Sequence, residues 1–209
     1  MRQRLAALLI SVCCVTGSSA WADTAERTIL IIGDSLSAGY GVDPRETWVA
    51  LMSDRLAEQG YGYRVVNASI SGDTTTGGLS RLPRALSLHS PSVVVIGLGG
   101  NDGLRGLPTA GMHRNLARMI ELSREAGAEV VLLGILIPPN YGRRYEESFA
   151  AVYPALAEEY AVPLVPFFLE GVALNEDLMQ ADGIHPNTDA QPVMLDNLWP
   201  TVSATLDRS

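Results

Sequence analysis

The chain has 209 residues, one domain's worth or slightly more, with 15 basic and 23 acidic side chains and a net charge of −8. Every basic residue is arginine, so a Ser–Lys dyad, a Schiff-base lysine and a GxxxxGK phosphate loop are all excluded. An acidic chain without a basic tract is also a poor nucleic-acid partner, because neutralising phosphate supplies most of that affinity.

Residues 1–22 read as a secretory leader. Arg2 and Arg4 form a positive start, Leu5 to Val15 an apolar run of 11 residues, and Ala20-Trp21-Ala22 a small-x-small cleavage pattern. The run is too short to span a bilayer, which takes about 20 apolar residues. The alternative is a buried first helix. Export to the periplasm, or secretion, is therefore expected, with a mature domain over residues 23–209 and no stable membrane anchor. Cleavage removes two arginines and no acid, moving the net charge from −8 to −10. It also removes Cys13 and Cys14, the only cysteines, which excludes disulfides, a Cys nucleophile and thiolate metal sites. A domain of this size buries roughly 70% of its unfolded surface, so it can stand as a monomer without staples.

From residue 28 onward, apolar runs alternate with helix-period segments. Thr28 to Gly33 is a continuous apolar run, the mark of a strand buried on both faces. Gly33-Asp34-Ser35-Leu36-Ser37 follows it, then a helical segment near 46–60. The strand Arg64 to Asn67 leads into Ser69-Ile70-Ser71-Gly72-Asp73 and a helix over about 75–88. Ser92 to Leu98 is the third strand and Gly99-Gly100-Asn101-Asp102 its sequel. A helix over about 109–126 follows, with Leu116, Met119 and Ile120 on one face. Glu129 to Gly134, a helix over 144–160, the short run Pro163 to Pro166 and a last helix near 187–206 complete the series. Before that helix stands Asp182-Gly183-Ile184-His185-Pro186.

Five strands alternating with helices predict an α/β/α sandwich, three-layered and flavodoxin-like, around a five-stranded parallel sheet of order 2-1-3-4-5. Such sheets carry their chemistry just past the carboxyl ends of the strands, where the four polar blocks fall.

These blocks resemble those of the GDSL, or SGNH, hydrolases, and the similarity runs from about residue 28 to residue 200. The strings VNASISGDTT, GGNDGLRG, NYGRRY and DGIHPN are similar to the branch of periplasmic thioesterase/lysophospholipase enzymes and related arylesterases. A lone GDSL tetrapeptide is a weak signal; four blocks in order and at spacing are a strong one. The resemblance implies a serine esterase that acts on acyl esters and thioesters through an acyl-enzyme, with no cofactor or metal. The Gly33-Asp34-Ser35 order is not the GxSxG elbow of lipases.

Ser35 could be a plain helix cap; the resemblance makes it the nucleophile. A serine needs a base, and with no lysine and no cysteine in the mature chain that base must be a histidine. His89 precedes a strand, at the sheet's amino end and on the wrong side, and His113 is expected on a solvated helix face. His185 stands in a turn three residues after Asp182, a spacing that lets the carboxylate accept from Nδ1 and leaves Nε2 for Ser35. Asp34, Asp73 and Asp102 also lie at strand ends and compete for the orienting role, which the resemblance gives to Asp182. It likewise makes the N–H of Ser35, the N–H of Gly72 and the amide of Asn101 the oxyanion donors. Leu104 and Leu107, with Ile137, Pro138 and Tyr141, would line an acyl groove; ordinary packing is the alternative. Asn67-Ala68-Ser69 matches a glycosylation sequon but sits at a strand end and is discounted.

Two other functions fit parts of this pattern. A flavodoxin-like binding module would cradle a phosphate or FMN in the Ser35–Gly39 loop, but has no use for the Asp182/His185 pair. A carbohydrate O-acetylesterase of the same family is disfavoured by the apolar loops.

Overall fold

A computed structural model describes residues 27–207, so the leader expected over residues 1–22 lies outside the described residues. The first strand, β1 (Arg27–Gly33), runs directly into the four-residue helix α1 (Ser35–Ala38). Helix α2 (Trp48–Glu58), β2 (Tyr63–Asn67), α3 (Thr75–His89) and β3 (Val93–Gly97) follow. Then come the short α4 (Gly100–Leu104), α5 (Thr109–Glu125), β4 (Glu129–Leu133), α6 (Arg143–Ala150), α7 (Val152–Tyr160), β5 (Leu164–Val165) and α8 (Gln191–Ser203). A single 3-10 turn covers Glu176–Leu178.

All five strands are parallel, in the order β2-β1-β3-β4-β5 that the sequence predicts. Alternation along the strands divides the core in two. Ile29, Ile31, Val93, Val95, Val131 and Leu133 face Trp48, Met52 and Leu56 of α2 and Met194 and Leu198 of α8. Leu30, Ile32, Val94, Ile96, Val130 and Leu132 face Leu82 of α3, Leu116, Met119 and Ile120 of α5 and Leu156 of α7. Both faces are covered, which is why these strands read as unbroken apolar runs. Each of these fully buried aliphatic side chains contributes roughly 1.5–3 kcal/mol relative to exposure.

The helix expected over 144–160 is two helices. Pro154 has no N–H to give to the Ala150 carbonyl, and its ring crowds that oxygen, so the chain breaks where α6 meets α7 at Ala151. The last helix starts later than expected, at Gln191, because Asn187 caps the turn before it by accepting from the Ala190 N–H. The one-turn helices α1 and α4 have too few residues for a period to show in sequence, yet α1 opens on Ser35 and α4 carries Asn101 as its second residue.

Candidate active site

Ser35 is the first residue of α1, immediately beyond β1. Asp34 caps that turn: its carboxylate accepts from the Leu36 N–H at 3.1 Å, and its own carbonyl accepts from the Ala38 N–H at 2.8 Å. Leu36 and Ser37 are fastened from opposite sides. The Trp48 indole donates to the Leu36 carbonyl at 3.0 Å, and the Asn67 amide donates to the Ser37 carbonyl at 2.7 Å. Trp48 is fully buried, so the turn that carries Ser35 rests on the rigid core.

His185 arrives from the far end of the chain on a loop closed by the Met179–Pro186 bridge, with the Gln180 N–H donating to the His185 carbonyl at 2.7 Å. Within it, one oxygen of Asp182 accepts from the backbone N–H groups of Ile184 at 2.9 Å and His185 at 3.0 Å. The other lies 2.6 Å from His185 Nδ1, and His185 Nε2 lies 3.0 Å from Ser35 Oγ. These bonds, led by that from the His185 N–H, hold the Asp182 carboxyl down at about 2, so it stays ionised at any ordinary pH.

The three rival carboxylates are engaged elsewhere. Asp102, buried, accepts the Thr75 N–H at 2.8 Å and its hydroxyl at 2.6 Å, capping α3. Asp73 pairs with Arg81 at 2.7 Å. Asp34 is buried beneath Asn101, whose Nδ2 donates to it at 3.2 Å, leaving the second amide hydrogen of Asn101 free of that bond. Gly72 lies in the turn closed by the Asp73 N–H on the Ile70 carbonyl, with φ of +79°, a conformation in which a side chain would be strained. Among the described residues its N–H has no acceptor. The N–H of Ser35, at the start of a helix, is likewise outside the helical ladder.

Of the other histidines, His89 closes α3 at the amino edge of the sheet, far from the loops that carry this chemistry. His113 stands on α5, partly exposed. It lies at the rim of the α5–α7 seam with Nε2 3.4 Å from Glu159. The candidate groove residues sit on the loops after β3 and β4. Leu107 and Pro138 are exposed, whereas Leu104 and Ile137 are half-buried. The Tyr141 hydroxyl is committed to the Leu104 carbonyl at 2.8 Å, so it joins the two loops to each other.

Sequence reasoning missed two residues beside His185. The Tyr40 ring lies against that of His185, centroids 4.5 Å apart. Gln180 bridges the two halves of the site by donating to the Tyr40 carbonyl at 2.7 Å and the Pro186 carbonyl at 2.9 Å. Both stand within a few residues of a recognised block, but no pattern marked them.

Burial pushes the Asp34 carboxyl up from 3.8 to about 6, against the opposing pull of the Leu36 N–H, the Asn101 amide and the nearby His185. Between those two values the folded protein keeps the proton while the unfolded chain has lost it, so stability falls as pH rises through this window. The loss attributable to Asp34 is about 2 kcal/mol between pH 4 and pH 7. Asp34→Asn has no such group to ionise, and should gain about that much on the parent protein over the same interval. Urea unfolding of both proteins at the two pH values checks it; an unchanged difference would mean that Asp34 ionises freely.

The family model described as GDSL-like lipase/acylhydrolase matches residues 31–191. Esterase TesA of Pseudomonas aeruginosa is 57% identical over 182 residues, covering 87% of this chain and 90% of its own. The thioesterase 1/protease 1/lysophospholipase L1 of Escherichia coli K12 is 51% identical over 172 residues, covering 82% of this chain and 81% of its own. A crystal structure of TesA superposes with a TM-score of 0.84 at 57% identity, covering 86% of this chain and all of that one.

Proposed function

Because the chain belongs to the GDSL-like lipase/acylhydrolase family and is an esterase, we propose that it cleaves acyl esters and thioesters with Ser35 as nucleophile, His185 as base and Asp182 as the group that orients the base. The observation that carries this reading is the chain of contacts from Asp182 through His185 to Ser35, at 2.6 Å and 3.0 Å. Ser35 Oγ attacks the carbonyl carbon as Nε2 takes its proton. The carbonyl oxygen gains a full charge in the tetrahedral intermediate, and the N–H groups of Ser35 and Gly72 with the Asn101 amide receive it. His185 then protonates the departing alcohol or thiol, leaving Ser35 acylated, and water activated by the same imidazole releases the acid. Asp182 keeps Nδ1 protonated and offsets the charge that appears on the ring.

The acyl chain extends along Leu104, Leu107, Ile137, Pro138 and Tyr141. The enzyme acts as a monomer, exported by its leader and beginning at Asp23. Among the described residues no helix is long and apolar enough to cross a membrane. The breadth named for the Escherichia coli relative comes to this chain as an expectation that thioesters and lysophospholipids are cleaved by the same site. A series of p-nitrophenyl esters, acyl-CoA thioesters and lysophospholipids of increasing chain length tests it on one preparation. All three classes should be hydrolysed, with Ser35→Ala inactive on each. A substrate class still hydrolysed by Ser35→Ala would require a second site and overturn the proposal.

A further inference from the structure

The oxyanion role proposed for Gly72 places an exacting demand on the loop between β2 and α3, because a backbone donor is useful only where the oxygen will be. Three backbone bonds shape this loop: Ala68 N–H to the Ile31 carbonyl at 2.9 Å, Ile70 N–H to the Gly33 carbonyl at 3.1 Å, and Asp73 N–H to the Ile70 carbonyl at 3.1 Å. One side chain, Arg81, reaches both ends of the loop and the Gly33 carbonyl that anchors it. From the second turn of α3 its Nε donates to the Asp73 carboxylate at 2.7 Å, its Nη1 to the Ala68 carbonyl, and its Nη2 to the Gly33 carbonyl at 3.1 Å. The Gly33 carbonyl is thus a shared acceptor, taking the Ile70 N–H and the Arg81 guanidinium together, two residues before Ser35. Ala68 and Asp73 bracket the loop that contains Gly72. The side chain is 20% exposed and Asp73 13%, so this pair is largely withdrawn from water.

We propose that Arg81 is a positioning residue for the reaction: its guanidinium locks the Gly72 loop to the end of β1, fixing the Gly72 N–H in register with Ser35. The inference rests on the function proposed above. The planar fork of guanidinium suits it to three acceptors in fixed directions, which a single ammonium point cannot reach together. Arg105 holds the same loop from the solvent side, donating to the Gly72 carbonyl at 2.7 Å, but through one exposed contact. Nothing in the reaction needs Arg81 to touch substrate. Its effect runs through where Gly72 sits when charge reaches the carbonyl oxygen.

Arg81→Ala should lower kcat by about 10²-fold, the cost of a displacement near 1 Å at a catalytic group, while KM changes by less than about threefold. Affinity for a trifluoromethyl ketone, which forms an oxyanion on Ser35, should fall in step with kcat/KM. Arg81→Lys should recover little, and millimolar guanidinium should restore part of the lost rate to Arg81→Ala alone. If Arg81→Ala fails to fold, Asp73→Asn loosens the same guanidinium and should show the same split between kcat and KM, at smaller size. A role confined to stability would lower the melting temperature and leave kcat and ketone affinity of the folded fraction near those of the parent, which overturns the proposal. Ser35→Ala is measured alongside: if it is inactive while Arg81→Ala keeps full kcat, Arg81 alone is misassigned; if it stays active, the reading of the site itself has failed.

Discussion

Ser35→Ala should lower kcat/KM for an ester by roughly 10⁴- to 10⁶-fold without unfolding the protein. The loss is large because the mechanism needs a covalent acceptor for the acyl group, and among the described residues Ser35 carries the hydroxyl that His185 Nε2 meets. His185 retains its bond to Asp182 in such a variant, and the Gly72 loop and Asn101 keep their attachments, so residual binding and oxyanion stabilisation should leave some rate above the uncatalysed one. Folding should be close to unaffected. The Ser35 hydroxyl makes one side-chain contact, with His185, whereas Asp34, Trp48 and Asn67 hold the turn through other atoms.

Asp182→Asn should cost about 10⁴-fold in kcat, the scale that loss of the correct tautomer costs a Ser–His–Asp enzyme. Its two oxygens do different work. One takes the Ile184 and His185 backbone N–H groups, a task an amide oxygen can assume, so the loop should keep its shape. The other faces His185 Nδ1 at 2.6 Å. Replaced there by an NH₂ group, it obliges Nδ1 to accept, places the ring proton on Nε2, and leaves that nitrogen no lone pair for the Ser35 proton. A melting temperature near that of the parent protein together with the lost rate is the expected pair of results. A variant within threefold of the parent kcat would instead return the orienting role to one of the other carboxylates.

Those other carboxylates mark the limit of what the sequence discloses. Runs such as Ile29 to Ile32 and Val93 to Ile96 announce buried parallel strands because β-branched and aliphatic residues without alternation fit a sheet covered on both faces. The strand order and the four blocks at the carboxyl edge follow. Four aspartates stand at that edge, and their spacing does not decide among them. The decision lies in three dimensions, where Thr75, Arg81 and Asn101 each occupy one and His185 meets the fourth. Arg81 and Gln180 were invisible for a related reason. Their partners are mostly main-chain carbonyls, which carry no residue identity, so no side-chain pattern points to them. The break at Pro154 was legible in principle; the apolar period on either side of it outweighed the missing donor.

The account stands on Ser35 becoming covalently acylated, and trapping the adduct tests that directly. The mature protein is treated with a fluorophosphonate or quenched during turnover of a slow ester, digested, and the modified peptide located by mass spectrometry. One equivalent should be found on Ser35, with none in Ser35→Ala. The buried hydroxyls of Ser37 and Ser69, which have no hydrogen-bond partner among the described residues, are the nearby alternatives. Modification of either, or labelling that persists in Ser35→Ala, would contradict the assignment of the nucleophile.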